Sequence, residues 1–323
     1  MMRAWCSGLA LGFVAGLGSL LMAPFAWAQE KYPSRPIEFI VPWGAGGGSD
    51  QTARAIAKLL EAELKTAVPV INAPGGTGTA GITKLLSAPA DGYSIGLLAW
   101  DTLALLSSKP QKWSIDDLAV LGIVIQLPSA LYVAENSRFK TWADLEQATK
   151  AAPSAIKVAI SGFGSPDHIT LNYLATKGLP FKPVPYAEPG ERYASLLGGH
   201  SDILYSPIGN VRSFVEGKQI RPILMLSERR NAHYKDVTTS KEAGYDITLP
   251  QRRAVVVKNG TRSEQFKVLE EALAKVVKQD AYAQFLEREF AQADSFVADK
   301  AAVQLMRADV EQMRSIVNQT QGK

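Results

Sequence analysis

Between Val41 and Leu60 the chain reads VPWGAGGGSDQTARAIAKLL, an apolar run that meets four glycines and one alanine over residues 44–48 and then continues at helical spacing. Strand, glycine turn and helix in that order make one β–α unit, which buries its apolar face only by joining a sheet covered by helices. Residues 36–42 are the expected strand, and Ala53, Ile56, Ala57, Leu60 and Leu64 mark the inner face of a helix over 50–64, with Ser49 as its expected cap. The pattern recurs: strands over 68–72 and 94–100 with a helix at 82–87 between them, then extended segments at 122–126 and 130–134. It restarts with a helix at 141–151 capped by Thr141, a strand at 156–161 and a helix at 165–177 closed by Gly178. Segments 184–186, 191–197, 202–205, 208–216 and 221–226 follow as strand, helix, strand, helix and strand. After a strand at 254–258 come helical patterns over 263–278, 280–289 and 299–319. Such alternation predicts mostly parallel α/β sheets with helices on both faces. The element count fits two α/β lobes, 29–130 plus 254–323 as the first and 131–253 as the second, with the C-terminal segment returning to the first.

Residues 1–28 read as a cleaved secretory signal peptide: Arg3 is the positive start, residues 9–21 are apolar, and Ala26-Trp27-Ala28 is a small-x-small ending. The apolar run is shorter than the roughly 20 residues of a membrane span. The one cysteine, Cys6, falls inside that leader, so a mature chain from Gln29 has no disulfide to draw on. Net charge is +4, or +3 without Arg3, and it is spread without long basic runs, which gives no nucleic-acid footprint.

A glycine turn from strand into helix exposes backbone N–H groups at the positive end of the helix, so an anion is the expected guest of residues 44–49. Gly48-Ser49-Asp50 lacks the lysine of a triphosphate loop. Gly76-x-Gly78-x-x-Gly81, with Asp101 twenty residues on, has the spacing of a dinucleotide fingerprint, but an Asn72-Ala73-Pro74 break parts it from its strand and its helix is short. A second anion loop facing the first fits better, and no cofactor is expected. A third loop, Ser161-Gly162-Phe163-Gly164-Ser165-Pro166-Asp167-His168, opens a helix with Pro166 in its first turn and Ser165 as cap. Three such loops at the carboxyl ends of strands describe a ligand cleft. Trp43 and Phe163 sit within them as possible walls, and Arg252-Arg253 either binds an anion or is simply exposed. The histidines, His168, His200 and His233, are too dispersed for a metal motif, and no Gly-x-Ser-x-Gly elbow occurs.

Taken together, Tyr32-Pro33-Ser34-Arg35-Pro36, residues 41–50, Asn72-Ala73-Pro74-Gly75-Gly76, Ala90-Asp91-Gly92-Tyr93, residues 164–168, Val184-Pro185-Tyr186 and Leu196-Leu197-Gly198-Gly199 resemble the Bug family. These are the extracytoplasmic solute receptors of tripartite tricarboxylate transporters. The resemblance implies a type II-like periplasmic binding protein fold: two lobes and a hinge around a cleft that closes on a small carboxylate (a di- or tricarboxylate or an aromatic carboxylate), handed to a membrane permease. It further implies a periplasmic monomer without catalytic activity or metal. First-lobe contacts would come from Trp43, Ala45, Gly46, Gly47 and Ser49, beside Gly76, Thr77, Gly78 and Thr79. Second-lobe contacts would be Ser161, Gly164, Ser165 and His168, with Ser206 at the strand end. Ser206 stands where many amino-acid-binding relatives carry an aspartate, which favours a ligand without an ammonium group. The rival reading is a secreted hydrolase or lyase on carboxylates using His168 or Asp50. A sensor that docks a kinase would share the same sequence features.

Overall fold

The computed structural model describes residues 31–321, so the predicted leader and Cys6 lie outside the described residues. Strand β1 (Glu38–Val41) turns through the glycine loop into α1 (Gly48–Leu64), whose Thr52, Ala53, Ile56, Ala57 and Leu60 recur every three or four positions and face inward. β2 (Val70–Asn72), α2 (Thr79–Ser87) and β3 (Ser94–Ala99) follow, then two short helices, α3 (Trp100–Leu103) and α4 (Leu105–Ser108), and the long β4 (Leu118–Leu127). Only Pro128 separates β4 from β5 (Ser129–Ala134). Next come α5 (Trp142–Ala151), β6 (Lys157–Ile160), α6 (Pro166–Thr176), β7 (Lys182–Pro185), α7 (Pro189–Leu197), β8 (Ile203–Pro207), α8 (Arg212–Glu216) and β9 (Ile220–Leu226). The chain ends with β10 (Gln251–Lys258), α9 (Ser263–Val276), α10 (Asp280–Arg288) and α11 (Asp299–Gln321).

The ten strands form two sheets, in the order β2-β1-β3-β10-β4 and β7-β6-β8-β5-β9. The mostly parallel arrangement expected from the sequence becomes a mixed one. β1 is parallel to β2 and β3, but β10 runs antiparallel to both β3 and β4. In the second sheet β6 is parallel to β7 and β8, and β5 is antiparallel to β8 and β9. The reversed strand in each sheet is the one that has just crossed from the other. A chain leaving one lobe at the carboxyl ends of its parallel strands enters its neighbour at the facing edge, so its next strand must run back. The carboxyl ends of the parallel strands, together with the first residues of β5 and β10, therefore share one boundary.

Helices cover both faces. Ile56 and Leu60 of α1 join Phe39, Ile95, Leu97 and Val255 in one buried cluster, while Ile82 and Leu85 of α2 join Ile40, Leu98 and Val256 in the other. The last helix spans the boundary: α11 packs on α4 and β4 and also on α6. Local details also depart from expectation. Gly47 is the N-cap of α1, because the helix begins at Gly48, two residues earlier than its apolar spacing suggested; Ser49 thus lies in the first turn and caps nothing. Arg252 and Arg253 belong to β10, and Ser206 lies fully buried within β8. Thr141 and Ser165 cap their helices as expected, with side-chain oxygens accepting from Asp144 N and His168 N.

Candidate functional site

The loop after β1 is braced from within. Asp50, in the first turn of α1, accepts from Gly46 N at 3.0 Å and from Asn72 Nδ2 at 3.0 Å, and pairs with Arg54 at 2.9 Å. Asn72 also donates to the Trp43 carbonyl at 2.9 Å, tying the end of β2 to the same turn. Burial raises the Asp50 carboxyl's pKa, but the hydrogen bonds from Arg54, Gly46 and Asn72 outweigh it and hold the group below its usual range. Asp50 is a charged strut, and its partners leave it no proton to trade with a substrate.

The loop after β6 is built on the same plan with a different charge state. Asp167, in the first turn of α6, accepts from Ser161 N at 2.6 Å and from His168 N at 3.0 Å, and lies against the Ser165 hydroxyl. Ser161 Oγ sits 2.7 Å from Asp101 Oδ1 and 2.8 Å from Asp167 Oδ2. One hydroxyl proton cannot serve two carboxylates, so the cluster holds an additional proton. Ser165 Oγ lies against both the Gly162 carbonyl and the Asp167 carboxyl. Burial first, and then the charge of Asp101, push the Asp167 carboxyl up to about 7. Asp101 opens α3 after β3, so the bridge from Asp101 to Ser161 joins the two sheets across their boundary.

Trp43, Gly47, Gly48, Ser49 and Asp101 from the first lobe enclose one small cavity with Ser161, Asp167, Pro189, Arg192, Tyr205, Pro207 and Asn210 from the second; Gln251 and Arg253 at the start of β10 complete it. Its free room is about 30 Å³, enough for about one or two waters and roughly tenfold below the ~300 Å³ of a typical small-molecule pocket. The lobes are therefore shut. Glycine permits this at two points. A Cβ on Gly48 would stand 1.8 Å from Asn210 Oδ1 and 2.4 Å from Arg253 Nη2, and one on Gly162 would stand 2.5 Å from Thr77 Oγ1. Arg253 donates to Thr52 Oγ1 at 3.1 Å and Asn210 Oδ1 at 2.9 Å.

Of the residues expected at the site, Trp43, Gly47, Ser49 and Ser161 line the cavity. Ala45 and Gly46 face solvent, and the Gly46 amide is used by Asp50. Gly76, Thr77, Gly78 and Thr79 lie outside the cavity, with Thr77 packed on Gly162 across the lobe boundary. Gly164, Ser165 and His168 also lie outside it: His168 Nδ1 accepts from Gly164 N at 3.2 Å, and burial lowers the imidazole's pKa. Ser206 donates to the Pro207 carbonyl at 3.3 Å within its strand, and Phe163 is 55% exposed at the rim. Sequence reasoning missed Asp101, Asp167 and Arg192 as cavity residues and left Arg253 undecided. Asp101 had a usable signal, since it stands two residues past the end of β3. Among the described residues no group of three or more His, Cys, Asp or Glu could hold a metal, and no helix is long and apolar enough to cross a membrane.

Comparison with known proteins agrees with this architecture. The family model described as "Tripartite tricarboxylate transporter family receptor" matches residues 52–321. The protein BugT of Bordetella pertussis is 29% identical over 242 residues, 72% of each chain. A TctC solute-binding protein from Polaromonas, solved without ligand, is 29% identical with a TM-score of 0.64, covering 89% of this chain and 99% of its own. MatC of Rhodopseudomonas palustris, solved with bound malate, shares the fold with a TM-score of 0.79 at 20% identity, over 88% of this chain and 100% of its own. The chain therefore belongs to the tripartite tricarboxylate transporter receptor family, whose members are solute-binding receptors of the Bug type and not enzymes.

Proposed function

We propose that this chain is a monomeric periplasmic receptor that captures a small di- or tricarboxylate or aromatic carboxylate by lobe closure and presents it to a membrane permease. The observation that carries the reading is the cavity shared by loops at the carboxyl ends of strands from both sheets. We draw the lobes as 29–130 with 254–323, and 131–253, and count β10 from Gln251 onward with the first because it pairs there with β3 and β4; the hinges are where β4 passes into β5 and where β9 leads to β10. With only about 30 Å³ free, ligand enters after the lobes part, and the loop residues outside the closed cavity, Gly76 to Thr79 and Gly164 to His168, border the opened cleft. The backbone amides of Gly76 and Thr77 and the Ser49 hydroxyl suit carboxylate oxygens, each charge-assisted bond contributing about 1.5–3 kcal/mol. Ligand must bind the closed form better than the open one, or closure would carry no signal. Malate in MatC makes C4 dicarboxylates the first compounds to try. The rival enzyme reading loses its chemistry as well as its family: Asp50 is locked to Arg54, and the His168 ring nitrogen is engaged with its own loop.

The test is to unfold and refold the chain from Gln29 to strip carried ligand, then record thermal shifts with malate, adipate, citrate, benzoate and amino acids. A saturable upward shift following RT ln(1 + [L]/Kd), with the compound recovered unchanged, is the expected result. Recovery of a converted product, or no shift with any carboxylate, would sink the proposal.

A further inference from the structure

The cavity wall contains two arginines of different origin. Arg253 rises from the start of β10 in the first lobe, and Arg192 from α7 in the second; they are 3% and 8% exposed. Neither forms an ion pair among the described residues, whereas the adjacent Arg252 pairs with Asp309 of α11. The hydrogen-bond partners of Arg253, Thr52 and Asn210, are neutral, and Arg192 Nε has none. A buried charge left this way is costly unless something compensates it. We infer that Arg192 and Arg253 form a split anion clamp, one guanidinium from each lobe gripping the same ligand carboxylate, so that the ligand's own charge draws the lobes together. This rests on the receptor reading and sharpens it: the ligand is selected for its negative charge, beyond shape and amide contacts.

The charges around the clamp support that assignment. Asp101 and Asp167 share the cavity but are committed to Ser161 and hold an additional proton between them. Glu289, near Gly209 and behind Arg253, has Oε2 without a partner, and burial raises its pKa. Two guanidiniums thus face a pair of carboxyls that share one additional proton, and the wall is left electropositive. A guanidinium fork matches a carboxylate in two parallel bonds, and the cavity, too small for ligand in this state, places both forks on the closing surfaces. In the open form each arginine can be hydrated, and the two forks converge on a carboxylate as the lobes close over it, short of the fully shut state seen here, which couples binding to the conformational change.

The experiment is calorimetric titration of wild type, Arg192→Gln, Arg192→Lys and Arg253→Gln with malate, adipate, citrate and benzoate, and with the corresponding carboxamide of whichever binds. Each glutamine variant should lose at least about tenfold in affinity for that carboxylate, Arg192→Lys should lose less, and wild type should prefer acid to amide by at least about tenfold. A merely structural role would lower thermal stability and leave the acid-to-amide ratio unchanged. Variants that retain affinity within threefold, or a wild type that binds acid and amide alike, would overturn the clamp while leaving the receptor standing. The acid-to-amide comparison decides the matter even if a glutamine variant fails to fold. A wild type that binds none of the carboxylates would overturn both readings.

Discussion

The loops over residues 44–50 and 161–168 are two versions of one device. Each leaves a parallel strand, turns on glycine, and folds an aspartate from the first turn of the next helix back onto a loop amide: Asp50 onto Gly46, and Asp167 onto Ser161. Their charges part company because their surroundings do. Asp50 is hydrogen-bonded by Arg54 and stays ionised; Asp167 is fully enclosed, where burial and the charge of Asp101 outweigh the opposing pull of Arg192, and holds its proton up to about pH 7. A shared backbone plan therefore yields a fixed strut in one lobe and a titratable hinge of hydrogen bonds in the other. The difference lives in packing, one level above the local sequence.

The largest effect should come from filling the contact between the lobes. Gly48→Ala drives a methyl into Asn210 and Arg253, and the closed form should lose about 1–3 kcal/mol, the usual range for overpacking. Ligand affinity, read by calorimetry, should fall by about 10- to 100-fold. Gly162→Ala, meeting only the Thr77 side chain, should fall at the low end of that range. Equal losses would show that the two lobes meet with equal rigidity.

Breaking the strut comes next. Asp50→Ala leaves Gly46 N, Asn72 Nδ2 and Arg54 without their shared acceptor, and denaturant unfolding should report a loss of about 1–3 kcal/mol. A value near zero would mean that water replaces the carboxylate freely and that the loop is not braced as described.

The titratable loop gives a slope instead of a step. Since the folded pKa of Asp167 is raised above its unfolded value of 3.8, the native state binds more protons between about pH 4 and 7. Its contribution to stability is full below that window and is lost as pH rises through about 7. Asp167→Asn removes the titrating carboxyl and should flatten that part of the stability profile, and an unchanged profile would reassign the proton. The smallest effect belongs to Arg54, whose side chain is 54% exposed: Arg54→Ala should cost about 1 kcal/mol or less, and less still in high salt.

Much of the fold was legible because α1, α5 and the strands carry their periodicity locally, with Thr141 marking a start and Ser165 and Gly178 the two ends of α6. The reversed strands were not legible, because the direction of β5 and β10 follows from a crossing between lobes that no local pattern records. At the site, the loops announced themselves through glycine, whereas Arg192, Asn210 and Arg253 come from elements distant in sequence and acquire meaning only when the lobes meet. Ser206 shows how finely the strand end decides: Tyr205 and Pro207 on either side of it line the cavity, while its hydroxyl donates to the Pro207 carbonyl within β8.

The central claim, that a carboxylate closes two lobes over itself, is tested most directly by small-angle scattering from the stripped chain before and after addition of the carboxylate that shifts its melting point. The account predicts a smaller radius of gyration on saturation, with the Gly48→Ala protein remaining expanded at the same concentration. A wild-type radius that stays constant while the ligand is demonstrably bound would contradict it.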